Sequence, residues 1–177
     1  ELEYPPIRRA LETARGFAES VDCLASTELA VPGLLTVVGK TNAERVVIER
    51  TPRRAVLRRP DGGRPLLATN AYRLMREEQR TTTDVNQLTA CGRYDALVAL
   101  LAARSASGEV SDDELLRILA DPRVRQGITA QHVIMRPARS EASVFVPTHL
   151  LDHDQRRSAA QVIDFADFAA AVEQFGI

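Results

Sequence analysis

Four short runs, Leu34-Leu35-Thr36-Val37-Val38, Val46-Val47-Ile48, Ala55-Val56-Leu57 and Pro65–Asn70, decide the fold. Each is rich in β-branched or large aliphatic residues and is bounded by turn formers, the signature of a strand. The gaps between them are only a few residues long. Parallel strands need a long crossover, so strands linked this tightly pair antiparallel. Pro32-Gly33 punctuates the entry to the first run, and Asp61-Gly62-Gly63 is expected to turn the third strand into the fourth.

The flanks read as helices. Pro5-Pro6 sit where a helix can begin, and Ile7, Leu11 and Ala14 recur at helical spacing. Gly16 interrupts, and Phe17, Val21, Leu24 and Ala25 form a second apolar stripe. Residues 73–90 are polar and aperiodic, which predicts a long loop. A helix is expected next, with Tyr94, Leu97, Val98 and Leu101 on one face. Ser111-Asp112-Asp113-Glu114 is a capping box that starts another, carrying Leu115, Leu116 and Leu119 and stopped by Asp121-Pro122. Ile128–Met135 and Ser143–Val146 read as a strand pair around Pro137–Glu141. Residues 148–160 are polar, and Phe165, Phe168, Val172 and Phe175 mark a terminal helix. Strands grouped in runs, not alternating with helices, indicate an α+β fold with antiparallel sheets and flanking helices.

Composition narrows the function classes. The chain has 177 residues, 23 basic and 24 acidic side chains, and no apolar run near the ~20 residues that span a bilayer. The balance is an average over three zones. Residues 1–44 carry a net −3, residues 45–80 a net +6 and residues 81–177 a net −4. A net charge of −1 and only eight Phe plus Tyr disfavour a dedicated nucleic-acid binder. Two distant cysteines, Cys23 and Cys91, exclude a disulfide framework, and no cofactor or metal is expected. The opening Glu-Leu-Glu-Tyr-Pro-Pro has no basic start and no apolar core of a secretory signal, so the cytoplasm is favoured. With no initiator Met, the chain reads as part of a longer polypeptide.

Several local patterns suggest chemistry. Val37-Val38-Gly39-Lys40-Thr41 resembles the end of a phosphate-binding loop, but the required first glycine is Leu34 and no helix pattern follows, so a hairpin turn is expected. His149 and His153 are spaced for one helical face, but without a third ligand they read as a solvated polar connection. His132 falls inside an expected strand and reads as structural. Arg50, Arg53, Arg54, Arg58, Arg59 and Arg64 form the densest charge cluster and read as a solvent-facing, arginine-decorated hairpin edge. Asn70 ends the fourth expected strand at the mouth of the long loop. It reads either as a turn former or as an amide donor for an oxyanion.

In ordered sequence, the segments Gly16–Leu24, Gly39-Lys40-Thr41-Asn42, Glu44–Arg50, Ala68-Thr69-Asn70, Cys91–Leu97 and the strand pair near 130–146 resemble the C-terminal part of N-terminal-nucleophile (Ntn) hydrolases. The group includes isopenicillin N acyltransferase, acid ceramidase and N-acylethanolamine amidase, and more distantly penicillin V acylase and bile salt hydrolase. The resemblance spans roughly residues 7–147 and implies that 1–147 is the C-terminal portion of an Ntn-hydrolase-like domain, with 148–177 as a C-terminal extension that carries the terminal helix. It implies an αββα sandwich and cleavage or transfer at an amide C–N bond by an N-terminal Cys whose α-amine is the base. It implies that Asn70 helps form the oxyanion hole and that Arg93 supports the active site.

A small residue, often Ser, commonly stands shortly before that Arg in this group, whereas Cys91-Gly92 precede it here. Neither Cys23 nor Cys91 matches the nucleophile, because each lies within an expected helix and lacks a free α-amine. The resemblance therefore implies an upstream segment or companion chain that supplies the nucleophile, and a small acyl-amide substrate. An oligomer is left open. The competing readings are a non-enzymatic α+β domain that binds an anionic partner through the Arg-rich 50–64 hairpin, and an Ntn-like chain that has lost its nucleophile.

Overall fold

The computed structural model describes residues 5–79, 85–103, 110–146 and 161–164. The chain divides into two compact units, Glu1–Asp95 and Ala96–Ile177. Both are α+β with antiparallel sheets, the class expected.

In the first unit, helices α1 (Pro5–Thr13) and α2 (Phe17–Ser26) precede a meander of β1 (Gly33–Val38), β2 (Arg45–Arg50) and β3 (Ala55–Arg58). The sheet order is β1-β2-β3, with Leu35 opposite Ile48 and Ile48 opposite Leu57. Alternate residues of a strand face opposite ways. Leu35, Val37, Val46, Ile48, Ala55 and Leu57 therefore share one face, and they pack with Ala10, Val21 and Leu24 of the two helices. Val46, Val47 and Ile48 are fully buried, each contributing about 1.5–3 kcal/mol relative to exposure.

The apolar stripe of α2 is the expected one. That of α1 is not. Ile7 and Ala10 make the contact, while Leu11 is 82% exposed, because the helix meets its neighbour through the i, i+3 ridge instead of i, i+4.

The β1–β2 connection is the expected hairpin turn, so Gly39-Lys40-Thr41 leads into a strand. Gly39 N donates to Glu44 O, and Glu44 N to Thr41 O. A Cβ on Gly39 would stand 2.7 Å from Glu44 Cβ, so the close approach of the two strands requires glycine there.

The fourth strand does not form. Asp61–Arg64 makes its turn, with Gly62 at φ +59° and Arg64 N donating to Asp61 O, but Pro65–Asn70 pairs with no strand. Proline offers no N–H to a ladder. The polar groups at the end of the segment turn elsewhere: Thr69 Oγ1 donates to Ala90 O at 3.0 Å. The expected long loop is partly helical, with a 3₁₀ turn at Arg76–Glu78 and a short α3 (Val85–Leu88) leading to α4 (Ala90–Ala102).

Central strand β2 ends in two adjacent buried charges. Arg50 sits on the helix face and is 2% exposed. Its Nη1 donates to Leu24 O at 2.7 Å and to Ala25 O, and its Nη2 donates to Thr27 O. These are carbonyls at and just beyond the last turn of α2, which lack intrahelical donors. Arg50 thus caps the helix from the sheet, and this corrects the reading of Arg50 as part of a solvent-facing edge. Glu49 faces the other way and is fully buried. It accepts from Arg73 N at 2.9 Å, Leu74 N at 2.9 Å, Met75 N at 3.0 Å and Arg58 Nε at 3.2 Å. Tyr72 hydroxyl donates to Arg50 O, closing the same segment onto the strand.

In the second unit, α5 (Asp112–Ala120) opens on the expected capping box. Ser111 Oγ accepts from Glu114 N, and the Glu114 carboxylate accepts from Ser111 N. Asp121 ends the helix. Its carboxyl is held at about 2, chiefly by side-chain hydrogen bonds from Arg123. The sheet is β4 (His132–Arg136), β5 (Glu141–Phe145) and β6 (Gln161–Asp164), in that order and antiparallel. The β4–β5 link is a 3₁₀ turn at Pro137–Arg139 closed by Ser140 in the left-handed region. Asp112 pairs with Arg136, tying α5 to β4. Strand β6 has no counterpart in the sequence reading. The expected terminal helix, and His149 and His153, lie outside the described residues. No described helix is long and apolar enough to cross a membrane.

Glu49 carries a stability prediction. Burial, the largest single influence, pushes its pKa up, but the backbone donors of Arg73, Leu74 and Met75 and the side chain of Arg58 outweigh it, and the net shift is downward. A depressed native pKa means the contribution is complete above the unfolded value of about 4.3 and is lost as pH falls through the native value. Glu49→Gln turns an amide NH₂ toward backbone donors and leaves Arg58 without its counter-charge. The expected loss is about 3 kcal/mol at neutral pH by urea titration. The difference from wild type should shrink on acidification into the depressed native range, and an unchanged difference there would remove the carboxylate as its source.

Candidate functional site

Asn70 and Arg93 stand 23 positions apart and meet directly. Arg93 Nη2 donates to Asn70 Oδ1 at 2.9 Å. Asn70 ends the unpaired Pro65–Asn70 segment, and Arg93 lies in the first turn of α4. The juxtaposition is built locally. Thr69 bonds the carbonyl of Ala90, Arg93 N donates to Thr89 O, and Arg93 Nε reaches Thr89 Oγ1 at 3.3 Å. Next to them, the Arg73 guanidinium lies over the Tyr94 ring, 4.0 Å from its centroid.

The contact fixes which way the Asn70 amide points. A guanidinium only donates, so the atom it meets must be the carbonyl oxygen. The Nδ2 amide protons are therefore turned away from Arg93, and Asn70 is exposed. An exposed amide held by its oxygen is a directed N–H donor.

Both residues line a cavity of about 480 Å³, within the range of small-ligand sites. One wall is the edge strand of the sheet, with Gly33, Leu34 and Thr36. Asn70, Tyr72, Glu78, Gln79, Gln87 and Arg93 are also in the lining. Tyr72 N donates to Gln79 Oε1 at 2.9 Å, so the wall that carries Glu78 is tied to the Tyr72 segment anchored by Glu49.

The sheet places this opening. On the face opposite the helices, Val47 and Glu49 of β2 are fully buried. Beside them on β1, Leu34 is half-buried and Thr36 exposed.

Other sequence candidates go elsewhere. The arginine cluster is dispersed. Arg50 caps α2, Arg58 pairs with buried Glu49, and Arg54 bridges Glu77 at 3.2 Å and Glu78 at 3.3 Å. Arg64 pairs loosely with Asp61, while Arg53 and Arg59 are exposed. His132 lies on β4 as expected. Its Nε2 is buried without a partner among the described residues, and burial, then the charge of Arg125, lowers its pKa. It is therefore neutral near pH 7. Cys23 lies within α2 and is half-buried, and Cys91 is exposed in α4. Among the described residues, no three His, Cys, Asp or Glu side chains gather to hold a metal. Glu49, Tyr72 and Glu78 were not singled out from sequence. A signal existed for Glu49, a carboxylate next to an unbroken β-branched run, where a charge has to find partners.

Comparison with known proteins returns no match: no family model, curated protein or solved structure is significantly similar to the chain.

The amide orientation is testable in solution. Arg93→Met should release the Asn70 side chain, moving its Nδ2 proton resonances toward random-coil values and speeding their exchange with water. The pair is exposed, so stability should change by under about 1 kcal/mol. Unperturbed Asn70 amide resonances in the variant would show that another group orients it.

Proposed function

We propose that the chain is the C-terminal portion of an Ntn amidohydrolase or acyltransferase, acting on a non-peptide amide bond with a nucleophile supplied from an upstream segment or companion chain. The observation that carries this reading is the Asn70–Arg93 contact at the edge of a ligand-sized cavity. The two residues that the family resemblance singles out are the two that bond each other there. The three-stranded antiparallel sheet with helices on one face, and the open β1 half of its other face, is compatible with one half of an αββα sandwich.

In this reading the chain's own contribution is electrostatic. An upstream Cys thiolate attacks the carbonyl carbon of an acyl amide, and the C=O π-electron pair moves onto oxygen. Asn70 Nδ2–H donates to that oxyanion, with its own Oδ1 held by Arg93 so that no reorientation is needed as charge develops. Collapse expels the amine, protonated by the α-ammonium of the nucleophile, and leaves a thioester. Water or an acceptor amine then takes the acyl group.

Two measurements test the reading. Intact mass and N-terminal sequencing of the full-length product should find a chain that begins with Cys upstream of Glu1. An uncleaved product without such a residue would sink the enzyme assignment. In the active protein, Asn70→Ala should lower kcat for acyl-amide cleavage by roughly 10²–10³, the effect of losing one oxyanion donor. Unchanged turnover would take Asn70 out of the mechanism.

A further inference from the structure

The cavity lining includes two chemically different groups, an amide donor and a carboxylate. Asn70 and Arg93 both line the cavity, and with its Oδ1 held by the Arg93 guanidinium Asn70 offers its amide N–H as a donor. Glu78, Gln79 and Gln87 line it as well. Arg54 does not neutralise Glu78. It is a single guanidinium shared between the carboxylates of Glu77 and Glu78, at 3.2 and 3.3 Å, which leaves one net negative charge. The Glu78 side chain is 41% exposed, open to a ligand. Pro32 and Leu34 add apolar residues to the lining.

The field at this side is felt by its neighbour. Ionisation of the Tyr72 hydroxyl is pushed up first by burial and then by the charges of Glu49 and Glu78. A negatively charged group placed at Glu78 would meet that same field. A cationic one would exchange hydration for a carboxylate.

We propose that the cavity takes an acyl compound bearing a protonated amine, with Glu78 as the specificity-determining residue: the carbonyl oxygen sits on Asn70 Nδ2 and the ammonium on Glu78. The inference rests on the reading of Asn70 as a carbonyl donor and adds the charge class of the substrate. It also gives Glu78 a role that neither the fold nor the oxyanion chemistry requires.

Binding alone tests it, with no nucleophile needed, because every group involved lies between residues 32 and 93. The 177-residue chain is titrated by calorimetry with L-leucinamide (a cationic amide), N-acetyl-L-leucinamide (neutral) and N-acetyl-L-leucine (anionic). The cation should bind about tenfold more tightly than the neutral amide, and the anion weakest. Glu78→Gln should erase the preference for the cation. Arg54→Gln, which leaves Glu78 without its competing partner, should strengthen binding of the cation.

Tightest binding by the anion, no binding of L-leucinamide at ~10 mM, or a preference that survives Glu78→Gln would each overturn the proposal. Failure of the enzyme reading shows separately, as absence of an upstream Cys or of turnover. Charge-selective binding can stand without either, and turnover of uncharged acyl amides can stand without charge-selective binding.

Discussion

Two adjacent charges in the central strand hold the first unit together. Neighbouring residues on a strand point to opposite faces, so Glu49 and Arg50 cannot neutralise each other across the sheet. Each is buried, and an unpaired buried ion costs several kcal/mol. Each must therefore recruit partners from a different layer. Arg50 takes the carbonyls at the C-terminus of α2, where the helix dipole is negative. Glu49 takes three successive backbone N–H groups of residues 73–75 and the Arg58 guanidinium. The strand becomes an electrostatic rivet, with a helix fastened on one side and a loop on the other.

The candidate site follows from that rivet. With Arg73, Leu74 and Met75 hung on Glu49, and Tyr72 on the carbonyl of Arg50, the path from Asn70 to Gln79 is anchored on the sheet. Asn70 lies immediately before the anchored stretch and Glu78 just after it. The loop covers β2 and leaves β1 open, and the cavity lies along that edge. The positions of Asn70 and Glu78 in the cavity lining are thus set by a carboxylate that is not itself among the lining residues.

The dispersal of the arginines changes what the +6 zone means. A basic stretch suggests an anion-binding surface, but two of its six clustered guanidiniums, Arg50 and Arg58, are taken up by interior carbonyls or a buried carboxylate, and Arg54 is shared between Glu77 and Glu78 at the surface. Much of the charge that looks like function in the sequence is internal electrostatics. The cavity lining, in contrast, includes a carboxylate, Glu78, that no composition figure reveals, because it lies inside the most basic segment of the chain.

Local chemistry was legible from residue order alone. The α2 stripe, the capping box at Ser111, the turn at Gly39 and the antiparallel meander all depend on interactions a few residues apart, and sequence spacing encodes those directly. Asn70 stood out by its place at the end of an expected strand, Arg93 only through resemblance, and nothing in residues 70 or 93 says that they bond. What the sequence could not determine was decided by partners distant along the chain. Pro65–Asn70 has strand-like residues, yet it lies unpaired because its terminal polar groups bond α4. Leu11 fits a helical stripe and is exposed because Ala10 makes the closer contact. Arg50 reads as a surface cation and is a helix cap, because only tertiary structure brings the end of α2 over the end of β2. A charge declares its sign in the sequence, but its partner is chosen in three dimensions.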